Sequence, residues 1–177
     1  RRAGVELLKN RLDFVAQLGE PGGSVVMHLG MAGVGGTSLS QPGATQVRRS
    51  IDDIEKFCLE RNVFLALENS KNFPILRHFL NAYGPEYVGL CFDSGHSNLP
   101  AQNGLDHLED LKDRLIAVHL HDNNSKGDFH QPLFLGTVDW ERLAGLLARS
   151  SYTKCLTHEV TMEFSGTDDV PTFLRMV

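Results

Sequence analysis

The fold is decided by the segment GLCFDSGHSN, residues 89–98, in which a short apolar run ends abruptly at Asp93. His96 follows in a turn rich in serine, glycine and asparagine. Burying a carboxylate or an imidazole without a partner is costly, so each group needs a hydrogen bond, a countercharge or a metal ion. We therefore interpret this segment as a buried strand whose C-terminal end carries polar groups with a chemical purpose.

Apolar runs of the same kind recur along the chain and predict five strands, at residues 24–30, 63–69, 87–93, 115–122 and 154–160. Their nearly continuous apolar character is typical of the strands of a parallel sheet covered by helices. Apolar residues at helical spacing predict helices before, between and after these strands. The predicted helices lie at residues 3–18, after an N-cap at Ser50, and at 75–84, 105–115, 140–149 and 171–176. This alternation predicts right-handed βαβ units in a single α/β domain spanning residues 1–177.

Each predicted strand ends in side chains that can bind a metal ion: His28, Glu68, Asp93 with His96, His119 with His121, and Glu159. Taken alone, each has an ordinary explanation as a hydrogen-bonded core histidine, a helix cap or an Asx turn. At the same end of five successive strands, however, they form the pattern expected at the catalytic face of a (β/α)₈ barrel. A divalent ion among them would offset the cost of burying them.

The long loop after the fourth predicted strand adds Asp128 and His130. As an isolated pair they fit solvated loop residues, but a loop that follows a barrel strand is also where a second site would be built. Asp122, at the start of this loop, is expected to support the loop or to orient a ligand.

Composition narrows the class of protein. The 177 residues are 41% hydrophobic and 22% charged, and the formal net charge is -5, so no broad basic face indicates nucleic acid. No apolar run approaches the roughly 20 residues that span a bilayer. The three cysteines, Cys58, Cys91 and Cys155, lie in apolar contexts and are predicted to be reduced core residues of a cytoplasmic protein.

The motifs resemble the xylose isomerase-like TIM barrel superfamily, which contains sugar isomerases and epimerases and the endonuclease IV type of apurinic/apyrimidinic endonuclease. The matching stretches, in order, are LEN at 67–69, DSGH at 93–96, HLHDN at 119–123, D-x-H…LGTVDW at 128–140 and HEV at 158–160. A complete barrel has eight strands and about 250 residues. The resemblance thus implies that this chain supplies the last five strands and that three βα units are missing. Either the chain is a fragment of a longer protein or a partner chain completes the barrel. The start at Arg1 favours the fragment.

In the sugar branch, the resemblance implies one divalent ion bound by Glu68, Asp93, His119 and Glu159, with His96 contacting the substrate. His121 is a further candidate for orienting sugar hydroxyls. Glu68 and Glu159 would act as acid and base around a metal-stabilised enediolate of a sugar or sugar phosphate. The ion could be manganese, zinc, cobalt or magnesium.

In the endonuclease branch, the resemblance implies a multi-zinc cluster that also includes His28, His96, Asp128 and His130. We expect the isomerase or epimerase. The endonuclease, a lyase or dehydratase, and a non-catalytic metal-binding protein remain alternatives, and a homo-oligomer stays open.

Overall fold

The computed structural model of the protein describes residues 1–19, 22–29, 42–70 and 72–177. Its strands are β1 (Ser24–His28), β2 (Phe64–Glu68), β3 (Val88–Asp93), β4 (Leu115–Leu120) and β5 (Thr157–His158). Its α-helices are α1 (Arg2–Gln17), α2 (Pro42–Arg61), α3 (Phe73–Ala82), α4 (Ser94–Ser97), α5 (Gly104–Leu111), α6 (Trp140–Ala148) and α7 (Val170–Met176). No helix within these ranges is long and apolar enough to cross a membrane.

The strands form one parallel sheet in the order β1-β2-β3-β4-β5. Its register aligns the strand ends, because His28 pairs with Glu68, Glu68 with Cys91, and Asp93 with His119. With helices between successive strands, the sheet is part of a (β/α)₈ barrel, as the sequence predicted. Its C-terminal edge gathers the polar strand ends on one side of the molecule.

The two faces of the sheet bury different kinds of side chain. Leu65, Leu67, Leu90 and Phe92 belong to an apolar core that also holds residues of α2 and α3, such as Ile54 and Phe79. Successive side chains of a strand point to opposite faces. The alternate residues of β2 and β3, Glu68 and Asp93 among them, therefore face the interior of the barrel.

Helix α2 starts earlier than the sequence predicted. It begins at Pro42, and the Ser50 hydroxyl donates a hydrogen bond to the Gln46 carbonyl oxygen (2.8 Å), one turn back inside the helix. Ser50 is therefore not an N-cap. A serine can satisfy its hydroxyl in mid-helix as well as at a cap, so the residue type alone did not locate the helix start. Gly30, the last residue of the predicted first strand, lies outside the described residues.

The fifth strand is much shorter than predicted and its side chains are exposed. Within the described part of the chain β5 pairs only with β4, so its outer side lacks a neighbouring strand. Cys155, just before β5, is exposed, whereas Cys58 and Cys91 are buried. The prediction that all three cysteines lie in the core is thus wrong for Cys155.

Candidate metal centre

Four strand-end side chains converge at the C-terminal edge of the sheet. Glu68 ends β2, Asp93 ends β3, His119 lies near the end of β4, and Glu159 follows β5. One ligand atom from each of the four lies within 4.8 Å of the others. The parallel register brings together residues that are up to 91 positions apart in the sequence (159 minus 68).

Glu68 is buried within this group, with 1% of its surface exposed. Its Oε1 is 2.9 Å from His28 Nε2 and 3.3 Å from His96 Nδ1, and its Oε2 is 3.3 Å from His119 Nδ1. None of these contacts has hydrogen-bond geometry, so among the described residues neither buried carboxylate oxygen has a donor. Burial opposes ionisation of this carboxyl group, but the His119, His96 and His28 imidazoles outweigh it and lower its pKa.

His119 connects the two carboxylates. Its Nδ1 lies 2.8 Å from Glu159 Oε2 and 3.3 Å from Glu68 Oε2. The Cys91 thiol beside it, then Glu159 and Glu68, raise the pKa of His119 to about 12. The same contact with His119 lowers the pKa of Glu159. An imidazole thus lies between the two carboxylates.

Asp93 is held by a second, fully buried histidine. Its Oδ1 lies 3.0 Å from His121 Nε2 and accepts a hydrogen bond from the His96 backbone N–H (2.7 Å), which caps the short helix α4. Neither Asp93 nor His121 has exposed surface. The His121 ring fits against Gly95, where an added Cβ would lie 1.9 Å from His121 Cε1. Glycine at position 95 therefore makes room for the Asp93–His121 pair.

Three of the four predicted additional ligands form an outer group beside the first. Asp128 Oδ2 lies 3.1 Å from His96 Nε2, and Asp128 Oδ1 lies 3.5 Å from His130 Nε2. Asp128 and, next, Glu68 outweigh the effect of burial and raise the pKa of His96 to about 11. His28 does not contact Asp128. It lies beside Glu68 and His96 instead.

His130 links the loop to the strand end that carries Glu159. Its Nδ1 lies 2.7 Å from the Glu159 carbonyl oxygen, and its own carbonyl accepts a hydrogen bond from the Thr161 N–H (2.8 Å). It adopts a φ of 49°, in the left-handed region that non-glycine residues seldom occupy. Its ring also stacks on His121, with centroids 3.9 Å apart. The backbone is thus held in an unusual conformation where the loop meets the site.

Asp122 supports this loop, in the role expected for it. It is fully buried and accepts hydrogen bonds from the Asn123 N–H (2.8 Å), the Val138 N–H (3.1 Å) and Trp140 Nε1 (2.8 Å). Its backbone also pairs with that of Gln131. One carboxylate therefore joins both ends of the loop that presents Asp128 and His130.

The sequence did not reveal the role of Asn69. Its side-chain amide exchanges two hydrogen bonds with the Asp93 backbone (2.7 and 3.0 Å), and its carbonyl oxygen lies 2.9 Å from His96 Nδ1. The N-cap of α3 is Asn72, whose side chain accepts a hydrogen bond from the Ile75 N–H (3.1 Å). Its position directly after Glu68, at the end of a buried strand, was the available signal.

The donor set fits a divalent cation. Three carboxylates and one imidazole suit zinc, cobalt, manganese or magnesium. A buried carboxylate with no hydrogen-bond donor is rare in a folded protein, and a bound cation would explain it. Glu68 is buried and has no donor among the described residues, so the residues present fit a bound ion.

Comparison with known proteins agrees with the fold. A family model described as the xylose isomerase-like TIM barrel matches residues 1–175. The chain belongs to this family. A relative from Sinorhizobium fredii, uncharacterized protein y4fM, is 37% identical over 171 residues, and the match covers 92% of this chain and 54% of that protein. The chain therefore spans about half the length of this curated relative.

Solved structures of the family superpose well at low sequence identity. A D-tagatose 3-epimerase-like protein has a TM-score of 0.74 at 21% identity, covering 92% of this chain and 64% of its own. The 3-keto-D-glucoside 4-epimerase YcjR from E. coli has a TM-score of 0.75 at 20% identity, covering 97% and 67%. The IolI protein with a bound zinc atom has a TM-score of 0.71 at 15% identity, covering 90% and 61%. These identities demonstrate a shared fold.

Proposed function

We propose that this chain carries the reaction centre of a metal-dependent sugar or sugar-phosphate isomerase or epimerase. The observation that carries the proposal is the group formed by Glu68, Asp93, His119 and Glu159, whose ligand atoms lie within 4.8 Å of one another. Within the described ranges, the buried carboxylate of Glu68 has no hydrogen-bond donor. Sugar substrates are supported by the names of structurally similar proteins, which are sugar epimerases.

These four residues would hold the divalent ion, and a zinc atom bound to a structurally similar protein supports this assignment. When bound, such an ion supplies a Lewis acid for the carbonyl group of a sugar. The protein supplies the remaining requirements, which are bases to move a proton and groups to orient the sugar.

Glu68 and Glu159 are the proposed proton-transfer pair. The carboxylates come from β2 and from the residue after β5, and both reach His119 Nδ1. Neighbouring imidazoles, against the effect of burial, lower the pKa of both carboxyl groups, so either can be the ionised base. One carboxylate would remove a proton from the carbon beside the substrate carbonyl. In an epimerase the other group, having taken a proton from solvent beforehand, would deliver that proton to the opposite face of the same carbon; in an isomerase the first group would deliver the proton it had removed to the neighbouring carbon.

The two histidines predicted to contact substrate have different environments. The His96 side chain is 14% exposed and its Nε2 faces Asp128, so we propose that it binds a sugar hydroxyl. His121 has no exposed surface and lies against Asp93. For His121 we propose a positioning role, in which it orients the Asp93 carboxylate.

The proposed function can be tested without knowing the substrate. The full-length protein would be loaded with manganese or cobalt and incubated in D₂O with a panel of ketoses and ketose phosphates. We expect NMR to show deuterium at a carbon adjacent to the carbonyl of at least one sugar. Failure of exchange across the panel, together with cleavage of DNA that contains abasic sites, would replace this function with the endonuclease.

The endonuclease stays a second candidate because of one observation: His121, Asp128 and His130 form a further group that could bind metal. Replacing Asp128 with alanine separates the two functions. In the isomerase or epimerase, we expect the bound-ion count to stay unchanged and deuterium exchange to fall by no more than about tenfold, since Asp128 only orients His96 and the loop. A loss of bound zinc and of nearly all activity would support the multi-zinc enzyme.

A further inference from the structure

Cys91 is a fully buried thiol beside the proposed metal centre. In the sheet register it pairs directly with Glu68, and it precedes Asp93 by two residues, so both side chains face the barrel interior. A sulfur from Cys91, an oxygen from Glu68 and a nitrogen from His119 all lie within 4.8 Å of one another. Neither the sequence motifs nor the proposed function assigns a role to this thiol.

Cys91 differs from an ordinary core cysteine. Cys58, the other buried cysteine, belongs to the apolar core that the sheet forms with α2 and α3. Cys91 is equally buried but lies on the opposite face of the sheet, where it borders a carboxylate and an imidazole. Buried thiols usually pack as small apolar groups, so this polar environment indicates a chemical role.

A second, independent observation comes from the groups that Cys91 borders. Both oxygens of Glu68 and the Nδ1 atom of His119 are buried and lack hydrogen-bond partners in the part of the chain that the structure describes. Glu68 itself is 1% exposed. Three such polar atoms beside a thiol form a donor set that suits a divalent cation.

We propose that the Cys91 sulfur is a further ligand of the ion held by Glu68 and His119, and that this ligand makes the site select zinc or cobalt over magnesium and manganese. The inference rests on the metal centre of the proposed function and specifies its ion. Thiolate is a soft ligand that favours zinc and cobalt, whereas magnesium and manganese prefer oxygen. The thiol would lose its proton to solvent as the ion binds, because a coordinating thiol is deprotonated.

The test uses cobalt(II) as the probe, since cobalt–thiolate bonds give an intense near-ultraviolet charge-transfer band that oxygen and nitrogen ligands do not produce. Full-length protein carrying C58A and C155S would retain Cys91 as the remaining cysteine of residues 1–177. We expect the band in this variant and in the wild type, and its loss when Cys91→Ser is introduced. Zinc affinity should fall about 10- to 100-fold in Cys91→Ser, with manganese affinity unchanged.

The outcomes separate this inference from the proposed function. Cobalt that binds with visible d–d absorption but without the charge-transfer band overturns ligation by Cys91 and leaves the metal centre in place. Failure to bind cobalt at all overturns both. If Cys91→Ser does not fold, the band in the C58A/C155S variant still decides the question, because its presence supports a Cys91 ligand and its absence contradicts one.

Discussion

Replacing Glu159 with glutamine is expected to lower the rate of deuterium exchange into the substrate by about 10²- to 10⁴-fold, the usual contribution of a positioned acid or base. Glutamine keeps the shape of the side chain and one oxygen that can bind the metal ion, but it cannot act as the base that accepts the proton. Glu159 is half-exposed and its carboxylate contacts His119, so the substitution leaves the apolar core untouched. The measurement is NMR-detected exchange in D₂O by the full-length protein.

His158 supplies the matched control for this variant. It is the neighbouring residue, it is exposed, and it is not a member of the proposed metal centre. His158→Gln should exchange deuterium at the wild-type rate. Exchange by Glu159→Gln within about threefold of wild type would contradict the proton-transfer role, since a base contributes far more than that. Metal analysis of both variants shows whether any loss follows from proton transfer or from loss of the ion.

Replacing Asp122 with alanine should lower the free energy of unfolding by about 3 kcal/mol or more. The substitution removes three hydrogen bonds to a buried carboxylate and leaves the N–H groups of Asn123, Val138 and Trp140 without that acceptor. Hydrogen bonds to charged groups contribute about 1.5–3 kcal/mol each, and unsatisfied buried donors add a further cost. Denaturant unfolding of the full-length protein would measure the change.

Asp139 provides the comparison for Asp122. It lies at the end of the same loop, is exposed, and caps helix α6 by accepting a hydrogen bond from the Arg142 N–H (2.9 Å). Asp139→Ala should cost about 1 kcal/mol, the ordinary value for an N-cap. Equal losses for the two variants would show that Asp122 is no more than a local cap, and would contradict its role in joining the ends of the loop.

The sheet and the convergence of its strand ends could be predicted because both follow from short-range patterns. Apolar runs identify strands and helical spacing identifies the segments between them, and parallel connections bring all the C-terminal ends to one edge. Glu68, Asp93, His119 and Glu159 therefore meet as expected, although their chemical roles stay predictions. The family resemblance agreed with this pattern, and the match of the family model to residues 1–175 confirms the resemblance.

The side-chain contacts within the site could not be predicted, because they depend on packing between distant segments. The burial of His121 depends on Gly95, and the backbone of Asp93 depends on the amide of Asn69. The sequence also gave no means of separating Cys91 from Cys58, since both lie in apolar runs. The exposure of β5 follows from its position at the edge of the sheet rather than from its own residues.

We propose that Glu68, which is buried without a hydrogen-bond donor among the described residues, binds a divalent ion. Elemental analysis of the full-length protein, purified without added metal, tests it most directly when wild type is compared with Glu68→Gln. Glutamine keeps the size of the buried side chain, and denaturant unfolding of the variant checks that it folds. We predict one ion per wild-type chain and none in the variant. A wild-type chain free of metal, or a variant that keeps its ion, would contradict the account.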